Sequence, residues 1–119
     1  MLEYLRNEGF RPEETEFGIS FRFEGGNYLY FANDDDNDFF QMAYPGIFDI
    51  DEDNRIAALE AMNSANTTAK VVKLGIVGDS VWVLFEILMD STPVLDDIVP
   101  RALRMLKNGQ NEFYKALQQ

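Results

Sequence analysis

The chain has 119 residues, no cysteine and no histidine, and a formal net charge of −11. Without these two residue types there is no disulfide, no thiolate nucleophile, no Cys-ligated zinc, and no Ser-His or Cys-His catalytic pair. All the excess negative charge lies in residues 1–60, which hold 15 acids and 4 bases and would repel nucleic-acid phosphates and anionic membranes. The composition therefore predicts a protein that is not an enzyme, needs no cofactor, and binds neither nucleic acid nor membrane.

A chain of this length predicts a single domain, residues 1–119, with one hydrophobic core. The longest apolar run, from Val81 to Leu88, is interrupted by Glu86 and is too short to span a bilayer. The N-terminus has no basic region followed by an apolar stretch, so no signal peptide is expected. If Met1 is the native start, the protein is expected to be cytoplasmic.

The first half of the chain predicts a short helix followed by three strands. Apolar residues within residues 1–8 suggest a helix that stops at Gly9, and a polar turn follows at Pro12–Glu14. Apolar and polar residues then alternate, which is typical of half-buried strands, and Gly25-Gly26 predicts a tight hairpin turn. Pro45-Gly46 is expected to end or bend the third strand. The predicted strands cover residues 15–24, 27–32 and 39–44.

The second half predicts a helix, a hairpin and a long final helix. Ile56, Leu59 and Met62 recur at helical spacing, and Asn63 and Asn66 suit the end of that helix. Alternation then resumes on both sides of a turn at residues 78–79, and residues 92–93, Thr-Pro, are a good start for the last helix, which Pro100 should kink or delay. The predicted fold is α+β in the order α-β-β-β-α-β-β-α, with a five-stranded antiparallel sheet and helices mainly on one face.

Several short motifs carry a family resemblance when they are taken in order and spacing. They are Leu5 and Gly9-Phe10, the Phe21-x-x-Glu-Gly turn, the acidic loop before Phe39-Phe40, Ala58-Leu59 through Asn63-x-x-Asn66, Lys70, and the Gly78-Asp79 hairpin. Together they resemble the YbjN-like family, whose members are labelled candidate bacterial sensory transduction regulators and have a fold like that of type III secretion chaperones. The resemblance implies an α+β domain that binds other proteins or itself, often as a dimer, and it implies no catalytic residues.

Two acidic segments are candidate cation sites. Residues 49–60 match most of an EF-hand loop, with acids at positions 1, 3 and 5 and Glu60 at position 12. Asn54 replaces the usual glycine, however, and a strand precedes the loop where an entering helix is required. An acidic helix start is therefore the favoured interpretation. The second segment, residues 34–38, lacks both the glycine and the final glutamate, and a solvated loop is favoured there. No metal site is predicted.

The second strand of the later hairpin is apolar on both faces, which is typical either of a central strand covered on both sides or of a strand whose second face meets a partner chain; the second interpretation is favoured. Trp82 lies opposite in phase to its buried neighbours, beside Leu84 and Leu88. Tyr28 and Tyr30, aromatic residues on one face of an earlier strand, are grouped with Trp82 in this surface. Three helices should cover only one face of the sheet, so the other face would meet a second copy or another protein.

The function that follows is a non-catalytic protein-interaction module, chaperone-like or a regulatory adaptor, that forms a homodimer. The alternative is a small-molecule or cation-responsive binding domain that uses the acidic loops.

Overall fold

Six antiparallel strands form one sheet within the part of the chain that the structure, a computed structural model, describes: residues 1–31, 39–89 and 94–118. The strands are β1 (Glu13–Glu14), β2 (Gly18–Phe23), β3 (Gly26–Phe31), β4 (Phe39–Asp49), β5 (Lys73–Val77) and β6 (Ser80–Leu88), and the helices are α1 (Leu2–Asn7), α2 (Arg55–Thr68) and α3 (Leu95–Leu117). Across the sheet the order is β1-β2-β3-β4-β6-β5. The α+β class and the antiparallel sheet are confirmed.

The prediction of five strands was wrong, because β1 was interpreted as a polar turn. Its two residues, Glu13 and Glu14, pair with Ser20 and Ile19 of β2. Both glutamates are exposed, so their side chains give no alternation of apolar and polar positions. Only the backbone pairing makes this segment a strand, and a sequence pattern does not record it.

The first hairpin turns one residue earlier than Gly25-Gly26 predicts. Phe23 pairs with Gly26, so the turn consists of Glu24 and Gly25, both at positive φ (49° and 82°). Gly26 is a strand residue, and a Cβ there would lie 2.8 Å from the Tyr44 hydroxyl oxygen. The absence of a side chain at Gly26 therefore leaves room for Tyr44, whereas Gly25 adopts the positive φ that the turn requires.

Strand β4 continues past Pro45-Gly46, where the sequence predicted an end or a bend. The register with β6 shifts between Tyr44 and Phe48, so the proline lies in a bulge where a missing N–H costs little. The hydroxyl of Tyr114 in α3 donates a hydrogen bond to the carbonyl of Ile47 within this bulge. The irregular backbone is thus tied to the last helix.

Helix α2 turns its small residues inward. Ala58, Ala61, Met62 and Ala65 are buried, whereas Ile56 is 73% exposed. The helical spacing of Ile56, Leu59 and Met62 predicted the helix correctly, but it does not mark the buried face. Small side chains let α2 approach α3 closely, which explains why the alanines face the core.

Helix α3 runs through Pro100, which the sequence predicts to kink the helix or delay its start, and also through Gly109. Pro100 is past the first turn of the helix, so its missing N–H removes the i→i−4 hydrogen bond to the carbonyl of Asp96. Gly109 is buried, and a Cβ there would lie 2.7 Å from Cγ1 of Val83 and 3.0 Å from Cγ2 of Val72. The glycine allows α3 to lie against β6. Residues 92–93, predicted to start this helix, lie outside the described residues.

The core lies between one face of the sheet and the helices. Phe21, Met42, Val83 and Phe85 come from that face and pack with Leu5 of α1 and with the inner faces of α2 and α3. The remaining helical residues of the core include Ile98, Val99, Ala102, Leu103, Leu106 and Phe113. The helices therefore lie on one face of the sheet, as predicted.

Candidate interaction surface

The strand register separates the residues of the sheet into two faces. Ser20 pairs with Leu29, Leu29 with Ala43, Ala43 with Leu84, and Leu84 with Lys73, so these five residues form one row across five strands. Side chains alternate along each strand, and the adjacent row contains the buried core residues. The row therefore points away from the helices. We call the surface that carries it the outer face.

The outer face is apolar along its centre. Leu29, Phe31, Trp82 and Leu84 are partly buried there, although the helices pack on the opposite face of the sheet. At one end Leu88 is 77% exposed. Leu88 pairs there with Phe39 of β4, and Ala43 of the same strand lies nearer the centre of the face. A group of apolar side chains that the helices of the same chain do not cover is typical of an interaction site.

Several polar side chains on β4, β5 and β6 are paired with one another on the outer face. Glu86 accepts a hydrogen bond from Gln41 Nε2 at 3.1 Å, and its carboxylate lies 3.2 Å from Lys73 Nζ in an ion pair. Trp82 Nε1 donates to Ser80 Oγ at 3.0 Å. A partner that covered this part of the face would therefore not leave the Glu86 charge or the indole N–H without a bond.

The five residues predicted for this surface do not all lie on it. Trp82, Leu84 and Leu88 lie on the outer face, but Tyr28 and Tyr30 lie on the core face, so the prediction that all five share one surface was wrong. Tyr28 is only 2% exposed. It pairs directly with the buried Phe21, and the two ring centroids lie 5.8 Å apart. The hairpin register places both tyrosines on the side of the buried phenylalanine.

Leu29, Phe31, Phe39 and Ala43 belong to the outer face and were not among the predicted residues. Their signal is present in the sequence, because Leu29 and Phe31 alternate with the two tyrosines. Assigning them to the face of Trp82 needs the pairing of β3 with β4 and of β4 with β6. These pairings join strands that are distant in sequence, and alternation within one strand does not reveal them.

The acidic segment at residues 49–60 begins as a hydrogen-bonded turn before α2. Asp51 Oδ1 accepts bonds from the backbone N–H groups of Asp53 and Asn54, each at 2.9 Å. Asn54 Oδ1 accepts from the N–H of Asp51 at 2.9 Å, and its Nδ2 donates to the carbonyl of Asp49. In the described ranges no group of three or more Asp, Glu, His or Cys residues is arranged to hold a metal ion. The second acidic segment, residues 34–38, lies outside those ranges.

Comparison with known proteins gives a match at the level of the fold. No family model matches the chain, and no curated protein matches it. Among solved structures, the chain is similar to YbjN from E. coli, described as a candidate transcription regulator, with a TM-score of 0.66 and 10% sequence identity. The alignment covers 97% of this chain and 87% of that one. The fold is YbjN-like.

The YbjN-like fold is what the sequence motifs predicted, although an identity of 10% is too low to transfer a role from one protein to the other.

No helix in the described residues has both the length and the apolar character needed to cross a membrane.

Proposed function

We propose that this chain is a non-catalytic protein-interaction module, chaperone-like or a regulatory adaptor, and that it self-associates through the outer face. The observation that carries the proposal is the group of apolar side chains on β3, β4 and β6, on the side of the sheet away from the helices: Leu29, Phe31, Ala43, Trp82 and Leu84. Burial of such surface is the main driving force for association between proteins. YbjN, described as a candidate transcription regulator, supports a regulatory role.

A second copy of the chain is the partner that suits this surface best. Two sheets pack face to face at about 10 Å when both surfaces are apolar. A two-fold contact would place the same central residues, Trp82 and Leu84, opposite their counterparts. The polar group of Gln41, Glu86 and Lys73 crosses this face from β4 to β5, and its charges are already paired when a partner covers it. The proposal needs no complementary charge from another protein.

The acidic character of the chain directs the regulatory hypothesis toward protein contacts. A net charge of −11 opposes approach to a nucleic-acid backbone. A regulatory role would therefore be exerted through another protein, with the dimer as the unit that is recognised.

The proposal is tested by placing a charge on the outer face. Leu88→Glu changes a residue that is 77% exposed, so the monomer should fold normally, and Leu84→Glu places the charge nearer the centre. We expect the wild-type chain to be a dimer at micromolar concentration by light scattering and both variants to be monomers. Ile56→Glu is the matched control, because Ile56 is 73% exposed on α2. It should remain a dimer.

Trp82 gives an independent measurement, because it is the single tryptophan of the chain. Its fluorescence emission should shift to shorter wavelength as the protein concentration rises, and this shift should be absent in Leu88→Glu. A wild-type chain that stays monomeric at every concentration, with unchanged Trp82 emission, contradicts self-association. Circular dichroism establishes that each variant is folded before its mass is interpreted.

A further inference from the structure

A cavity of about 460 Å³ lies between α1, the end of β2 and α3, away from the outer face. Its volume falls within the range of roughly 300–1,000 Å³ that is usual for small-molecule sites. The rings of Phe10 and Phe23 line it with their centroids 5.3 Å apart. Val99 and Leu103 of α3 also line it, although they are 0% and 2% exposed and so offer a ligand little surface. This lining would favour the hydrocarbon part of a ligand.

Charges of both signs stand at the rim of the cavity. Glu8 follows α1 and Glu24 lies in the β2–β3 turn, whereas Arg104 and Lys107 lie about one helical turn apart on α3. The ion pairs of the described chain, Lys73 with Glu86 and Arg101 with Asp97, involve none of these four side chains. Lys107 is also partly buried. Each of the four is therefore able to pair with a ligand group of opposite charge.

We infer that this cavity binds a small zwitterion with an apolar body, such as an apolar amino acid or a short apolar peptide with free termini. The ammonium group would lie toward Glu8 and Glu24, the carboxylate toward Arg104 and Lys107, and the apolar body against Phe10 and its neighbours. A simple anion would meet the two rim acids and the net charge of −11, and a simple cation would meet the two rim bases. A zwitterion satisfies both ends of the rim.

The probe for the test is the dipeptide Phe-Leu, which has both charges and two apolar side chains. Its matched controls are N-acetyl-Phe-Leu, which lacks the ammonium, and Phe-Leu amide, which lacks the carboxylate. Backbone NMR shifts of the full chain are followed during each titration. We expect saturable shifts near Arg104 and Glu24 with Phe-Leu, and binding about tenfold weaker with either capped form.

Charge-removing variants assign each end of the ligand to its side of the rim. Lys107→Gln should weaken binding of Phe-Leu about tenfold but leave binding of Phe-Leu amide unchanged. Glu24→Gln should likewise weaken binding of Phe-Leu about tenfold but leave binding of N-acetyl-Phe-Leu unchanged. Lys115→Gln, at an exposed position on α3 outside the cavity, should bind like the wild type.

Three results would overturn the inference: equal affinity for the three probes, unchanged binding by Lys107→Gln, or no saturable shift with millimolar Phe-Leu. The Leu88→Glu variant should bind Phe-Leu as the wild type does, because Leu88 lies on the outer face and is not part of the cavity lining. Binding at the cavity and association through the outer face are thus measured separately.

Discussion

The side chain of Asn66 makes hydrogen bonds with the backbone of an edge strand that a neighbouring strand would otherwise make. Its Oδ1 accepts a hydrogen bond from the backbone N–H of Leu74 at 2.7 Å, and its Nδ2 donates to the carbonyl of Leu74 at 3.2 Å. Leu74 lies on β5, an edge strand of the sheet. The sequence suggested that Asn63 and Asn66 end the helix. The helix continues to Thr68, and Asn66 connects its last turn to the sheet.

Replacing Asn66 by alanine should lower the free energy of unfolding by about 1–3 kcal/mol, because two hydrogen bonds to the strand are lost. Urea denaturation measures this change. Asn63→Ala is the control, since Asn63 is exposed on the same helix, and it should change stability by less than about 0.5 kcal/mol. Equal effects of the two substitutions would show that the contact with β5 adds no stability.

Tyr28 makes stability depend on pH in the alkaline range. Burial raises its pKa well above the ordinary value near 10, with smaller contributions from Tyr44 and Glu24. The folded chain therefore keeps the phenol protonated where the unfolded chain releases the proton. This contribution is fully present below about pH 10 and is lost as the pH rises above that value.

Tyr28→Phe should flatten the fall of the melting temperature above about pH 10, while the two proteins keep parallel profiles at lower pH. Some fall should remain, because burial also raises the pKa of Tyr4 and of Tyr114. Melting curves recorded from neutral to alkaline pH provide the measurement. An unchanged alkaline slope in the variant would mean that Tyr28 is not the group responsible.

At the scale of elements, the sequence predicted what depends on neighbours along the chain. Alternation and the turn at Gly78-Asp79 gave the second hairpin, and Gly9, at a φ of +79°, ends α1 as expected. The features that the sequence could not predict depend on contacts with residues outside the segment itself. β1 becomes a strand only through pairing with β2, and the inward face of α2 follows from its contact with α3 rather than from its most apolar residues.

Because α2 packs through its alanines, we expect a substitution at a small buried residue to lower stability more than one at a large exposed residue. Ala61→Leu should destabilise the fold by about 1–3 kcal/mol, because Ala61 is 3% exposed against its neighbours and added volume has no space. Ile56→Ala should change stability by less than about 0.5 kcal/mol, because Ile56 is largely exposed. Thermal unfolding compares the two. A larger loss in Ile56→Ala would indicate that the apolar ridge of the helix faces the core.

Only part of the candidate surface was predictable, because alternation within a strand is local whereas strand pairing joins distant residues. Trp82 and Leu84 alternate with buried residues in one strand, so their position could be read locally. Tyr28 and Tyr30 were misplaced because the face of β3 is set by its register with β2, in which Tyr28 is opposite Phe21. The cavity rim escaped prediction altogether, since its charges come from both ends of the chain.

For the whole molecule, net charge and the proposed apolar association would act in opposite directions. Two copies of a chain with a charge of −11 repel each other, whereas the outer face buries few charges when it is covered. Added salt screens the repulsion, since the Debye length falls from about 30 Å at 0.01 M to about 10 Å at 0.1 M. We therefore expect the dimer to become tighter over this range, which sedimentation equilibrium would measure. A dimer weakened by salt would indicate that ion pairs, rather than apolar contact, hold it.

The two edges of the sheet set a limit on how large an assembly can grow. One edge is β1, only two residues long and made of exposed glutamates, and the other is β5, where Asn66 already occupies the backbone groups of Leu74. Short, charged or occupied edges resist the addition of further strands, which is the usual route to fibres. A contact between two outer faces uses the same surface of both copies. It therefore closes at two chains and leaves no template for a third.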